Sequence, residues 1–323
     1  MAKAVRYHKQ GGPEVLQVDD VQVGDPGQGQ VRITHKAIGV NFVDTYQRSG
    51  LYPMQLPAVA GNEAAGVVDA VGAGVTDLKA GDRICYTGLP GSYCEQRLVP
   101  ADRMVKLPQG ITEEQAASML LKGLTVHYLI FSTYAVKKGD TVLWHAAAGG
   151  VGLIACQWLR ALGVTTIGTA GSPDKMALAK SHGAEHVVNY STENFVEKVK
   201  AITGGKGVPV VYDSVGKTTW EGSLDCLRPR GLMVSFGNAS GPVAPVNLGI
   251  LASKGSLYVT RPTLATYIAA RADLVERSNA LFDIVKSGKV KIETTGKYKL
   301  ADAAQAHRDL ESRKTTGSVI LVP

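Results

Sequence analysis

The sequence predicts an α/β protein, with a β-rich domain of short antiparallel strands joined to a doubly wound parallel sheet. Three observations carry that expectation. Residues 1 to about 120 hold short alternating or apolar runs separated by Gly, Pro and Asp. From about 125, strand-like and helix-like segments alternate as repeated βα units do. The end, Gly317-Ser318-Val319-Ile320-Leu321-Val322, reads as a strand again and returns the chain to the first domain. A length of 323 residues suits two domains. The expected boundaries are 1–122, 123–262 and, for the return, 263–323.

In chain order, Val31-Arg32-Ile33-Thr34, Gly66-Val67-Val68-Asp69-Ala70-Val71 and Asp82-Arg83-Ile84-Cys85-Tyr86 are expected strands. Between the first two, residues 41–50 form a helix stopped by Gly50. The second region gives strands at 141–145, 164–169, 186–189, 208–212 and 231–236. Its helices fall near 151–162, 173–182, 194–203 and 218–227. A strand at 256–259 leads to Arg261-Pro262, then a long helix from about 263 to 287, a strand near 290–293 and a helix near 301–312. No internal repeat or low-complexity segment interrupts this order.

Composition excludes several classes. Apolar content of 45% with 20% charged residues suits a soluble protein with a sizeable core. No run of 18 apolar residues exists, so no membrane insertion is expected. The first nine residues lack an apolar signal core, which makes the cytoplasm the expected location. Cys85, Cys94, Cys156 and Cys226 contain no C-x-x-C pair, which argues against a disulfide framework and a structural zinc. The net charge of +7 is dispersed and is weak evidence for nucleic acid.

The sharpest signal is Gly139 to Gly152. An apolar strand ends in Ala147-Ala148-Gly149-Gly150-Val151-Gly152, and an apolar helix follows to Leu162. Strand, tight turn and helix together make the A-x-G-x-x-G pattern an expected dinucleotide site, the alternative being an ordinary βα turn. Gly149 would let the backbone approach a pyrophosphate, Gly152 would let the helix pack closely, and the first helical turn would offer N–H groups to phosphate. The next strand ends in Thr169-Ala170-Gly171-Ser172-Pro173-Asp174-Lys175 with no acid at its tip. A ribose 2′-hydroxyl usually meets an acid there. Ser172 and Lys175 instead suit a 2′-phosphate, with Tyr190 as a third contact, which favours NADPH over NADH. The alternative makes Ser172 only a helix N-cap before Pro173 and Lys175 a solvated side chain.

This order of motifs resembles the medium-chain dehydrogenase/reductase superfamily and, within it, the NADPH:quinone oxidoreductases of the zeta-crystallin type. The resemblance spans essentially the whole chain. It rests on the Gly139–Arg160 segment, Val40-Asn41-Phe42-Val43-Asp44-Thr45-Tyr46, Gly50-Leu51-Tyr52-Pro53, Val211-Tyr212-Asp213-Ser214-Val215-Gly216 and Ser235-Phe236-Gly237-Asn238. It implies a GroES-like catalytic domain and a Rossmann domain. It also implies departure from the family's zinc alcohol dehydrogenases: Asn41 stands where those have a Cys ligand, and Gly61-Asn62-Glu63 replaces Gly-His-Glu. Thiolate and imidazole are both missing, so metal-free hydride chemistry is expected. His145 is read as structural.

The resemblance places Asn41, Tyr46 and Tyr52 beside the nicotinamide, where an amide or phenol could donate to the substrate oxygen. The alternative leaves Asn41 as a helix cap and the tyrosines as rim packing. It places Gly150 and Val151 at the pyrophosphate, and Gly171, Ser172, Lys175 and Tyr190 at the adenosine phosphate. Ser214, Gly237, Asn238, Ala239 and Ser240 would line the ribose side, although Asn238 and Ser240 could be ordinary turn residues. Arg261 and Thr263 would re-enter the cleft. Lys122-Gly123-Leu124-Thr125 would open a helix that carries Tyr128. The resemblance implies a quinone as the small-molecule substrate and a homodimer. A two-fold pairing through the strand near 256–259, tested by a charge at Leu257, is a separate expectation. Two alternatives stay open: reduction of α,β-unsaturated ketones or aldehydes, and RNA binding through the dinucleotide cleft.

Overall fold

The computed structural model describes all 323 residues, which divide into two compact units. The first unit comprises residues 1–124, 267–286 and 292–323; the second comprises 125–266 and 287–291.

Antiparallel sheets dominate the first unit. A small sheet sets Ala2–Tyr7 between Gln17–Val21 and Ala58–Val59. The larger sheet runs Thr294–Lys299, Ser318–Val322, Gln30–Val40, Glu63–Val71, Arg83–Thr87 and Val105–Lys106, with Gln96–Pro100 also paired to Gln30–Val40. Gln30–Val40 alternates buried and half-buried residues at first, then buries all of its last four. Period-2 alternation gives one face to the core, where Tyr7, Ile33, Ile38, Ile84, Tyr93 and Met104 are fully enclosed. Each such side chain contributes about 1.5–3 kcal/mol by leaving water. The returning strand Ser318–Val322 pairs antiparallel with Gln30–Val40, as the C-terminal β pattern implies.

The helix Phe42–Ser49 follows that long strand directly. Asp44 accepts from the backbone N–H of Asn41 at 2.8 Å, one of the donors a helix start leaves orphaned. Gly50, at φ 86°, ends the helix in the left-handed conformation that glycine tolerates best.

The second unit holds a six-stranded parallel sheet. Numbered along the chain, Thr141–Trp144, Thr165–Ala170, His186–Asn189, Val208–Asp213, Leu227–Ser235 and Tyr258–Thr260 lie side by side in the order 3-2-1-4-5-6. That is the dinucleotide-binding order, with the ligand crevice at the carboxyl ends where the order reverses. Val208–Asp213 is buried at every position, because helices cover both faces of a parallel sheet.

Four sequence expectations need correction. Lys122-Gly123-Leu124-Thr125 does not open a helix. It lies in the second half of Glu113–Tyr128, whose last turn widens into a π-helix over Leu129–Thr133. The long helix at 263–287 is two helices, Leu264–Tyr267 and Arg271–Lys286. Between them Ile268 is buried and the carbonyl of Ala269 accepts from Arg103 at 3.2 Å, an alternative to helical bonding. No strand forms at 290–293. Gln157 clamps Lys291 by both its N–H and its C=O, and the strand starts later, at Thr294–Lys299. The edge strand is Tyr258–Thr260, because Ser256 takes a left-handed φ of 55° and Leu257 turns into the core at 6% exposure.

Candidate functional site

The glycine-rich turn is braced from behind by a buried polar network. The ring nitrogens of His145, which follows the first strand of the parallel sheet, meet Thr169 Oγ1 at 3.0 Å and Ser223 Oγ at 2.9 Å. Burial holds its pKa below the ordinary histidine range, so the neutral ring acts as a strut, in line with its reading as structural. Ser223 and Thr219 donate to Asp213 Oδ2 at 2.8 and 2.7 Å, while Oδ1 accepts the N–H groups of Val215 and Gly216. Thr169 Oγ1 also accepts from the N–H of Ala146 at 3.3 Å. These bonds tie together the turn after the first strand and the loop after the fourth.

Gly149 is the N-cap of the helix Gly150–Ala161, so Gly150, Val151 and Gly152 form its first turn. No acidic residue occupies that turn. Its free N–H groups and positive dipole end suit a pyrophosphate. A Cβ on Gly152 would stand 2.5 Å from the carbonyl oxygen of Ala146 and 2.6 Å from that of Ala147. Both contacts are backbone, so no side chain fits. The left-handed residue of the turn is Ala146, at φ 54°, and not one of the glycines.

Ser172, Lys175 and Tyr190 gather at the carboxyl ends of two neighbouring strands. Ser172 caps the helix Pro173–Ser181 by accepting from the N–H of Lys175 at 3.4 Å, with Pro173 in the first turn. The cap and the phosphate contact are therefore compatible roles for one hydroxyl. The Tyr190 ring lies against Gly171, where a Cβ would stand 2.5 Å from its hydroxyl, yet the residue is 42% exposed. Asp174 is exposed one position into the helix, and no acid sits at the strand end. Hydroxyl, ammonium and phenol without a carboxylate fit the extra phosphate of NADPH.

The later loops are bound to each other. A Cβ on Gly237 would stand 2.4 Å from the carbonyl oxygen of Ser214, and Ala239 donates its N–H to that same oxygen at 3.1 Å. The Ser240 hydroxyl donates to the carbonyl of Val215 at 2.8 Å and accepts from the N–H of Thr218 at 3.1 Å. Asn238 is half-buried beside them. Arg261 donates to the carbonyls of Ser235 and Gly237 at 2.9 and 3.0 Å. Thr263 is exposed, and its carbonyl accepts from Thr266 at 3.2 Å. Tyr128 is only 2% exposed, in the last turn before the π-helix.

In the first unit, Asn41 begins a second buried network. Its Nδ2 donates to Glu63 Oε2 at 2.8 Å, and Glu63 Oε1 accepts from the N–H of Leu121 at 2.7 Å. Lys122 Nζ lies 3.8 Å from the same Glu63 Oε2 and 3.4 Å from the carbonyl of Val40. Burial pushes Glu63 up and Lys122 down in pKa, each opposed by the other's charge. Asp44 accepts from Asn62 Nδ2 at 2.7 Å and from the Tyr93 hydroxyl at 3.0 Å, and burial pushes its carboxyl up to about 6. Tyr93 also meets His307 Nε2 at 3.0 Å, while Arg48 donates to His307 Nδ1 at 3.1 Å and pairs with Glu311. Burial and the Arg48 charge lower His307 to about 3. Arg48 cannot give up its proton, so this chain of bonds positions groups and does not conduct protons. Tyr46 and Tyr52 are half-buried, their rings edge-on at 5.3 Å.

These residues do not fit a zinc ion. Asn41 and Asn62 offer amides already engaged with Glu63 and Asp44, and an ammonium stands beside the Glu63 carboxylate. No group of three His, Cys, Asp or Glu side chains is arranged as a metal site. Sequence reasoning passed over Lys122, Tyr93 and His307 as members of this cluster. One signal was present: Gly39 sits inside a strand, where glycine marks close approach. A Cβ there would stand 2.2 Å from Glu63 Oε2 and 2.4 Å from the carbonyl of Ala117.

A family model described as alcohol dehydrogenase GroES-like domain matches residues 27–109, and one described as zinc-binding dehydrogenase matches 150–280. The quinone oxidoreductase of Pseudomonas aeruginosa is 54% identical, over the whole of both chains. A 2-haloacrylate reductase of a Burkholderia species is 47% identical, over all of this chain and 99% of that one. The crystal structure of Escherichia coli quinone oxidoreductase complexed with NADPH superposes with a TM-score of 0.98 at 54% identity, covering both chains completely.

Proposed function

The chain belongs to the zinc-free quinone oxidoreductases of the medium-chain dehydrogenase/reductase superfamily, and we propose that it reduces quinones with NADPH through the two residue clusters described above. It is an NADPH-dependent oxidoreductase with a GroES-like unit and a Rossmann unit. The observation that carries the cofactor assignment is the acid-free strand end beside Ser172, Lys175 and Tyr190.

Bound NADPH supplies the hydride. Gly150 and Val151 present N–H groups to its pyrophosphate, Gly152 keeps that helix end close to the turn, and Gly149 keeps the approach open. Ser172, Lys175 and Tyr190 hold the 2′-phosphate, beside Gly171. Tyr128, Ser214, Gly237, Asn238, Ser240, Arg261 and Thr263 shape the rest of the cofactor site, several of them by bracing loops. Asn41, Tyr46 and Tyr52 face the quinone and offer N–H and O–H donors to the oxygen that gains charge. Lys175→Ala is expected to weaken NADPH binding by about tenfold or more, with NADH affinity unchanged within about twofold. Fluorescence titration with each cofactor checks this, and equal weakening would overturn the 2′-phosphate role.

The 47%-identical haloacrylate reductase favours a second reading, reduction of an activated C=C bond by the same residues. NADPH oxidation by the chelator-treated protein separates the two. The expected result is fast turnover with benzoquinone and slower turnover with an enone; enone turnover alone would transfer the assignment.

No helix is long and apolar enough to cross a membrane. For the homodimer, the strand Tyr258–Thr260 is the edge of its sheet, with Tyr258 61% and Val259 39% exposed. Paired edges of two copies would satisfy the open backbone groups. Leu257 cannot test this, because it packs in the unit's own core. Val259→Lys is expected to give monomers by light scattering, and persistent dimers would exclude this edge.

A further inference from the structure

We propose that Lys122 is a catalytic residue of quinone reduction, its ammonium donating a hydrogen bond to the substrate oxygen on which negative charge develops. The proposal rests on the assignment of Asn41 to the substrate site.

Four observations in the first unit support it. Lys122 is the one buried lysine, with its side chain at 8% exposure, and it shares Glu63 Oε2 with Asn41. Its contacts are loose: 3.8 Å to Glu63 and 3.4 Å to the carbonyl of Val40. An ammonium pair held for stability would close to about 2.7–2.9 Å. Three N–H donors with only these partners leave hydrogen-bonding capacity for a ligand. Thr87, the register partner of Glu63, supports the same point. Residues directly opposite in an antiparallel pair share one face of the sheet. Thr87 Oγ1 is buried there without a hydrogen-bond partner, so the corner is under-saturated in polar contacts. Finally, the site is built. The missing side chain of Gly39 makes room for the Glu63 carboxylate. A buried ion pair is a poor way to gain stability.

The chemistry follows from charge. Hydride addition brings two electrons and one proton to the quinone, leaving one oxygen as a phenolate that later takes a proton from solvent. A fixed cation there stabilises the developing charge in a dry site. Glu63 holds the ammonium in place and orients the Asn41 amide with its Nδ2 toward the carboxylate.

The test uses 4-nitrophenolate as a mimic of the hydroquinone anion and 4-nitroanisole as its neutral counterpart, each titrated into the NADP⁺-loaded protein by calorimetry. Lys122→Met is expected to weaken the phenolate by about tenfold or more while leaving the anisole and NADPH unchanged. The benzoquinone kcat should fall by about 100-fold, and Lys122→Arg should restore part of both. Equal loss of phenolate and anisole, or a kcat within about threefold of wild type, would overturn the proposal. If Lys122→Met does not fold, Lys122→Gln decides. Replacing the ammonium by a neutral donor should weaken phenolate relative to anisole, and an unchanged ratio would overturn the proposal. A wild-type protein that turns over quinone beside an unaffected Lys122→Met refutes only the part given to Lys122. Failure of wild-type quinone turnover refutes the underlying assignment instead.

Discussion

Asp44→Ala is expected to destabilise the first unit by about 3–5 kcal/mol. Asp44 is 1% exposed, and the donors converging on it come from three segments: the N–H of Asn41, the amide of Asn62 and the hydroxyl of Tyr93. Truncation leaves all three buried without an acceptor, at about 1–3 kcal/mol each before relaxation. It also removes the carboxylate from the first turn of Phe42–Ser49, where it opposes the helix dipole. Tyr93→Phe removes one donor together with its bond to His307 and should cost about 1 kcal/mol. Urea unfolding of both variants checks the ranking. A loss under about 1 kcal/mol for Asp44→Ala would mean that water reaches these donors. The same helix carries Tyr46, so Asp44 also fixes where a proposed substrate contact sits.

Acid should weaken the fold through His35, by about 2 kcal/mol between pH 7.5 and pH 5. His35 Nδ1 donates to the carbonyl of Cys94 at 2.7 Å, and its Nε2 accepts from the Tyr86 hydroxyl at 2.9 Å, which sets the neutral tautomer. Burial, helped by the Arg97 charge, lowers its pKa to about 4. The unfolded histidine, near 6.5, binds a proton first as pH falls. The stability tied to the neutral ring is therefore present above about 6.5 and is lost progressively down to about 4. Asp44 works in the opposite sense. Its carboxyl, raised to about 6, takes up a proton in the folded state before the unfolded one does. Comparison with His35→Gln isolates the histidine. The variant is less stable at neutral pH, and its deficit should shrink by about 2 kcal/mol by pH 5. A constant deficit would show that His35 takes up its proton at the same pH in the folded protein as in the unfolded chain.

The parallel-sheet unit was the most legible part of the sequence. Its strands and helices announce themselves by apolar period, and the structure moves their edges by a few residues. The first turn at Gly149–Gly152 was readable for the same reason: small residues between a strand and a helix have few other uses. The C-terminal region was less legible. An unbroken helical period over 263–287 does not reveal that Ile268 inserts into a core and that Arg103, distant in sequence, takes the carbonyl of Ala269. The 290–293 segment failed similarly, since its backbone is held by Gln157 and not by a neighbouring strand. In the first unit, Asn41 and the Gly61-Asn62-Glu63 segment were legible through a family motif, but the joining of Glu63 to Lys122 and of Asp44 to Tyr93 and His307 was not. Glu63, Lys122, Tyr93 and His307 come from four segments, and no spacing rule joins them.

The brace behind the glycine-rich turn bears on redesign. His145, Thr169, Ser223 and Asp213 shape that turn from the protein interior, whereas Ser172, Lys175 and Tyr190 stand at neighbouring strand ends. On the proposed assignment, pyrophosphate binding and phosphate discrimination occupy separable modules of one sheet. Under that assignment, exchanging the cofactor preference of this scaffold would be a problem of three side chains at the strand ends, which leaves the interior strut untouched. Random variation should therefore find altered preference more readily than it finds tolerated change at His145.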